Sequence, residues 1–134
     1  MAELKHETLA IQSSEDVVRV RQKAREFALN LGFSLVDQTK IVTAASELAR
    51  NTIDYGGGGI VHLECLQNGH RSGLQLIFED QGPGIADIDL ALKDGFTSGS
   101  GLGLGLGGAK RLSNEFEITS QAGGGTRVRI AKWR

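Results

Sequence analysis

A single cysteine, Cys65, stands in 134 residues, so neither a disulfide framework nor a cysteine metal cluster is available. His62 and His70 have no companion ligands at metal spacing and read as ordinary strand and turn residues. There is no signal peptide and no apolar run long enough to cross a membrane, so a cytoplasmic location and no membrane partner are expected. Charge is nearly balanced, with 15 basic and 16 acidic residues and a formal net charge of −1. That lacks the basic surplus of a nucleic-acid binder, and no nucleic-acid partner is expected. Aromatic residues make up only 5%, which leaves the core to aliphatic side chains. Internal repeats and linkers are also missing, and the length suits one domain over residues 1–134.

What the chain has instead is glycine. The stretch Gly99-Ser100-Gly101-Leu102-Gly103-Leu104-Gly105-Leu106-Gly107-Gly108 runs into Ala109-Lys110-Arg111-Leu112, which reads as the opening of a helix to about Ser113. Glycine costs backbone entropy in any ordered element, so such a density implies close approach of the backbone or positive φ. A glycine loop feeding a helix N-terminus presents unpaired N–H groups and the positive end of the helix dipole, a combination that binds phosphate. The alternative is a flexible linker, against which the interleaved leucines count. Two common phosphate loops do not fit. Asp94-Gly95-Phe96-Thr97-Ser98 is not the apolar strand that a dinucleotide fold places before its glycines, and Gly108-Ala109-Lys110 lacks the Gly-Lys-Ser/Thr ending of a P-loop.

In chain order, Glu7 to Gln12 reads as a short strand. Ser13 and Asp16 form a capping-box pattern, and Val17, Val20, Ala24, Phe27, Ala28 and Leu31 then recur at helical spacing up to a stop at Gly32. Arg19, Arg21, Lys23 and Arg25 on that helix read as a solvated face, with a partner surface as the alternative. Ser34 and Asp37 open a second helix to about Asp54, with Ile41, Ala45, Leu48 and Thr52 as its buried stripe. Four glycines, Gly56 to Gly59, then turn the chain. Ile60–Leu66 and Leu74–Phe78 read as a hairpin around Asn68-Gly69, and two more strands, Phe116 to Gln121 and Thr126 to Trp133, close the chain. The order of elements predicts an α+β sandwich, one mixed sheet covered by helices on one face.

Two further places carry chemistry. Glu47, Asn51 and Asp54 lie at i, i+4 and i+7 and share a face beside the buried stripe of the second helix. Such a row is either a solvent-exposed polar face or a hard-cation and nucleophile-orienting site, since a carboxylate and an amide oxygen one turn apart suit Mg²⁺. Glu79-Asp80-Gln81-Gly82-Pro83-Gly84-Ile85 puts a carboxylate at a strand end before a glycine turn. That is either a plain surface turn or a carboxylate aimed at a ligand that the glycines allow to come close.

Taken together, Glu47-Leu-Ala-Arg-Asn51, Asp80-Gln-Gly82-Pro-Gly84, Gly101-Leu-Gly103-Leu-Gly105-Leu-Gly107 and Gly124-Gly125-Thr126 stand in the order seen in the GHKL ATPase/kinase superfamily. The chain resembles its small bacterial switch kinases from the first strand to Lys132-Trp133. The resemblance implies a Bergerat-type two-layer sandwich with ATP and Mg²⁺ as cofactors. It implies Glu47 as general base, Asn51 as the Mg²⁺ ligand, and Asp80 as acceptor of the adenine amino proton. Thr126 would support the base contact, and Gly82 and Gly84 would shape the adenine pocket. Gly101, Gly103, Gly105 and Gly107 would line the phosphates within an ATP lid from about Leu90 to Gly107. Strict alternation of glycine with leucine departs from related loops, which vary, and Asp54-Tyr55 stands where anti-sigma-factor relatives often have His-Ala or His-Gly.

The function so implied is a Mg-ATP-dependent protein serine/threonine kinase, a partner switch in bacterial stress signalling. Its substrates would be STAS-domain scaffold and antagonist proteins, and once released it would activate a phosphatase by binding it. The chain length leaves no room for the phosphoacceptor-histidine helix of a complete sensor histidine kinase. One rival is an anti-sigma-factor kinase with another partner. A rival of another class is a non-catalytic, ATP-dependent binding module, against which the presence of Glu47 counts.

Overall fold

Residues 5–84, 105–121 and 123–134 are described by the structure, a computed structural model. The elements follow as β1 (His6–Ile11), α1 (Ser14–Asn30), α2 (Leu35–Asp54), β2 (Gly59–Asn68), β3 (Arg71–Asp80), α3 (Gly105–Leu112), β4 (Glu115–Gln121) and β5 (Gly125–Trp133). Local chemistry sets the first helices. The Asp16 carboxylate accepts from the backbone N–H groups of Gln12 and Ser13 at 2.8 and 3.2 Å and so closes the start of α1. At its end Gly32 takes φ +83°, with Gly32 N–H donating to Leu29 and Phe33 N–H to Ala28, a Schellman stop. The Ser34 hydroxyl accepts from Asp37 N–H and opens α2.

The five strands form one sheet in the order β1-β2-β3-β5-β4. The expectation of a mixed sheet is corrected here: all four ladders are antiparallel. β3 and β4 do run the same way, joined by the connection that carries α3. The returning strand β5 lies between them and pairs antiparallel with both, so the parallel pair never hydrogen-bonds. The β2–β3 hairpin pairs Asn68 with Arg71 and turns through Gly69-His70, with Gly69 at φ +63°.

α3 begins at Gly105, a turn before the expected start at Ala109. Glycine opposes helix by about 1 kcal/mol per residue. Burial of Leu106, Gly107, Gly108 and Ala109 beside α2 outweighs that cost, because tertiary packing supplies most helix stability.

One face of the sheet is covered. Val61, Leu63, Leu74, Leu76, Phe78, Val128 and Ile130 point from the strands into a core with Val20, Phe27, Ile41 and Leu48 of the helices. The predicted stripe of α2 is buried at all four positions. Cys65 shares this face; burial pushes its thiol pKa up, which keeps it in the less reactive protonated form. The other face is polar and bound together by side chains. His62 contacts the Thr8 hydroxyl and Glu79, each at 2.9 Å, and Arg129 donates to Gln75, Glu115 and Glu117. On α1, Arg19, Arg21 and Arg25 are exposed and Lys23 pairs with Glu7 and Glu26, as a solvated face would.

Candidate active site

α2 carries the first candidates. Its buried stripe fixes the rotation of the helix, and that rotation sets Asn51, half-buried, at the edge of the core one residue before the buried Thr52. Thr52 returns its hydroxyl to the Leu48 carbonyl at 2.9 Å, so it adds no free polar group. Glu47 lies one turn back, about 6 Å along the axis, also half-buried. Asp54 is exposed at the helix end and contributes nothing to the cavity described next.

Asp80 ends β3 directly opposite Thr126 near the start of β5. Its Oδ1 accepts from the Gly82 N–H at 2.9 Å, so the turn after the strand holds the carboxylate in place. Thr126 shares a 2.9 Å hydrogen bond with the Ser120 hydroxyl from β4. The Ser120 hydroxyl also donates to the Gly125 carbonyl at 3.2 Å, which ties the pair to the start of β5. Gly84 sits at φ +80° and lies so close to the Gln121 carbonyl that a Cβ there would overlap it. It is needed both for its turn and for its space.

These pieces meet. A cavity of about 30 Å³ is walled by Leu48, Thr52, Phe78, Leu106 and Val128, with Asn51, Tyr55, Asp80 and Thr126 as its polar points. Apolar walls with a few convergent polar groups are the usual make-up of a ligand site. Two wider grooves open from the same carboxylate. One, of about 270 Å³, runs between the ends of β3, β4 and β5 and includes Thr126. The other, of about 420 Å³, lies between Gln12, the glycine turn before β2, and Glu79 to Gln81. Asp80 borders all three.

Among the sequence-predicted residues, Asn51, Asp80 and Thr126 are therefore brought together, from three different elements. Gly82 holds Asp80, and Gly84 supports the adjoining turn. Gly105 and Gly107 lie in the first turn of α3, where backbone N–H groups have no partner within the helix. Gly101 and Gly103 fall outside the described residues, as does most of the stretch expected to form a lid. Glu47 is not among the residues lining the three cavities. Sequence reasoning missed Ser120, Tyr55 and the closeness of Gly56 to Asp80. Only the run of four glycines hinted at the last.

The chain is similar in sequence and in fold to known proteins. The family described as histidine kinase-, DNA gyrase B-, and HSP90-like ATPase matches residues 36–134, which include Glu47, Asn51, Asp80 and Thr126. The chain is 48% identical over 123 residues to the serine/threonine-protein kinase RsbT of Bacillus subtilis (strain 168), covering 92% of each chain. It is 32% identical over 135 residues to an anti-sigma F factor of Clostridium kluyveri, covering 96% of this chain and 92% of that one. Among solved structures, the RsbU and RsbW domains of a Mycobacterium tuberculosis protein superpose with a TM-score of 0.64 at 22% identity. That match spans 99% of this chain and 33% of the other, and speaks to fold alone.

Proposed function

The chain belongs to the histidine kinase-, DNA gyrase B- and HSP90-like ATPase family, and from that premise we propose that it is a Mg-ATP-dependent protein serine/threonine kinase working as a partner switch. The convergence of Asn51, Asp80 and Thr126 on one cavity carries this reading. Asp80 offers its second oxygen to the amino group of adenine while Gly82 holds the first. Thr126, paired with the Ser120 hydroxyl, supports the same base contact. The first-turn N–H groups of α3, at Gly105 and Gly107, face the phosphates, with Gly101 and Gly103 assigned the same task.

Asn51 suits Mg²⁺ in a particular way. Among the described residues no cluster of three or more His, Cys, Asp or Glu could hold a metal alone. Mg²⁺ commonly takes one or two protein oxygens and completes its shell with phosphates and water. A lone amide oxygen beside a phosphate site fits that pattern. When bound, the ion neutralises phosphate charge. Glu47 then serves as the base: it takes the proton of a serine or threonine hydroxyl as that oxygen bonds to the γ-phosphorus. The bond from phosphorus to the bridging oxygen breaks, and ADP leaves. Phosphoryl transfer asks mainly for positioning and charge neutralisation, which one carboxylate, one amide and backbone N–H groups can supply.

The substrates proposed are STAS-domain proteins of the RsbS/RsbR type, with an RsbU-like phosphatase as the later partner in a cytoplasmic stress-signalling assembly. Among the described residues no helix is long and apolar enough to cross a membrane. The similarity to an anti-sigma F factor favours one second reading, a kinase of an anti-sigma pathway. Incubation with Mg-ATP and candidate STAS or sigma proteins, followed by phosphate mapping by mass spectrometry, tests both. Phosphoserine or phosphothreonine on a STAS protein is the expected result. Nucleotide binding with no transfer to any candidate would leave only a binding module.

A further inference from the structure

Gly56 opens the turn between α2 and β2, and its surroundings separate two reasons for glycine that usually go together. Its φ lies outside the left-handed region, unlike Gly57 and Gly58 at +72° and +112°. Backbone conformation therefore does not demand glycine at position 56. Space does. A Cβ on Gly56 would stand 2.6 Å from Oδ2 of Asp80, 2.5 Å from its Cβ and closer still to its Cγ. Gly57, by contrast, has open space around it.

The residue cannot yield. Its N–H donates to the Thr52 carbonyl at 3.1 Å, which ties it to the last turn of α2. A Cβ on Gly82 would also lie 2.6 Å from the Gly56 Cα. Gly56 thus lies close to both the Asp80 side chain and Gly82, the residue whose N–H holds Oδ1 of that same carboxylate. Among the described residues nothing donates to Oδ2, the oxygen that Gly56 leaves uncovered.

We propose that Gly56 is a specificity-determining positioning residue: by carrying no side chain it keeps the free oxygen of Asp80 where a nucleobase amino group reaches it. The inference rests on reading the site as an ATP site. Adenine presents an amino donor at its six-position, and guanine presents a carbonyl acceptor there. A carboxylate in register accepts from the first and opposes the second. Sites built to pair with a polar group discriminate strongly against analogues that lack it. Displacing the carboxylate removes the basis of that choice.

Calorimetric titration of the full chain with ADP and with GDP, at fixed Mg²⁺, reads the effect without requiring phosphoryl transfer. The wild type should prefer ADP by at least about tenfold. Gly56→Ala should weaken ADP roughly tenfold and leave GDP within about threefold, so that the preference collapses. Gly69→Ala, which strains a positive φ at the far end of the sheet with nothing nearby to displace, should lower the melting temperature and keep the preference. In an Asp80→Ala background, Gly56→Ala should cost no further ADP affinity. If circular dichroism finds Gly56→Ala unfolded, Gly82→Ala, whose Cβ crowds the Gly56 Cα, is judged by the same ratio. A variant that folds and keeps the wild-type preference overturns the inference alone, as does an equal further loss without the Asp80 carboxylate. A wild type that binds ADP and GDP alike overturns the ATP-site reading beneath it.

Discussion

At one end of β3, Gly73 lies under the ring of Trp133, its partner across the ladder, so closely that a Cβ would come within 2.8 Å of the indole. The indole N–H donates to Glu115 at 2.7 Å, the Trp133 backbone N–H donates to Asn114, and the Arg71 guanidinium sits 5.1 Å over the ring. At the other end of the same strand stands Asp80, which borders three cavities and has one carboxylate oxygen held by Gly82. Both ends use glycine for close approach. At the first the space is filled by an aromatic ring and polar groups find partners within the protein. At the second the space beside Gly56 is filled by the Asp80 side chain, whose Oδ2 has no donor among the described residues. The difference teaches where this sheet ties its polar groups down and where, among the described residues, it leaves a carboxylate oxygen without a donor. A substitution at one end should therefore leave the property of the other nearly untouched.

The largest expected effect is on the open end's chemistry. Glu47→Ala should lower phosphoryl transfer by roughly 10²–10⁴-fold while keeping most nucleotide affinity and the unfolding midpoint. Initial rates of phosphate incorporation into substrate measure it, and a wild-type rate would reduce the Glu47 row to a polar helix face. Next comes Asp80→Asn, which puts an amide donor where an acceptor is needed. A hydrogen bond to a charged group is worth about 1.5–3 kcal/mol, so ATP affinity should fall tenfold to a hundredfold, read by calorimetry. Stability should barely move; if it drops as affinity does, the separation between the ends fails.

The closed end should answer in the opposite currency. Trp133→Ala uncovers Gly73 and leaves Glu115 and Arg71 without the ring, at a cost of about 1–3 kcal/mol in denaturant titration. Nucleotide affinity should remain that of the wild type. The smallest effect is at Glu115, whose pKa is held below the ordinary carboxylate value, first by the Trp133 indole and then by Arg129. A depressed folded pKa contributes stability above the unfolded value and loses it as pH falls through the folded value. The pair is exposed, so the contribution should stay within about 0.5 kcal/mol. Glu115→Gln should accordingly be slightly less stable than wild type at neutral pH, and the gap should close on acidification. A gap that widens in acid would reverse the assignment.

Much of the molecule was legible because its signals act within a few residues. Ser13 with Asp16, Ser34 with Asp37, the stop at Gly32 and the turn after Asn68 each satisfy backbone groups close by in the chain. They carry the same meaning in a sequence as in a fold. Helical spacing identified the buried face of α2 for the same reason, and with it the edge on which Glu47 and Asn51 sit. A carboxylate at a strand end before a glycine turn marked Asp80, and family resemblance added Thr126.

What only the tertiary structure decided depends on contacts between residues distant in the chain. Glycine propensity argues against a helix at Gly105, and burial of Leu106 to Ala109 beside α2 reverses it. Strand count says nothing of β5 entering between β3 and β4, yet that insertion makes the sheet antiparallel and sets Thr126 opposite Asp80. The run from Gly56 to Gly59 looked uniform in the sequence, each residue one more turn glycine. Within it Gly57 and Gly58 adopt positive φ, a property of the local backbone. Gly56 is glycine because the Asp80 side chain occupies the place where its Cβ would go, and no local pattern records a neighbour that arrives from another strand.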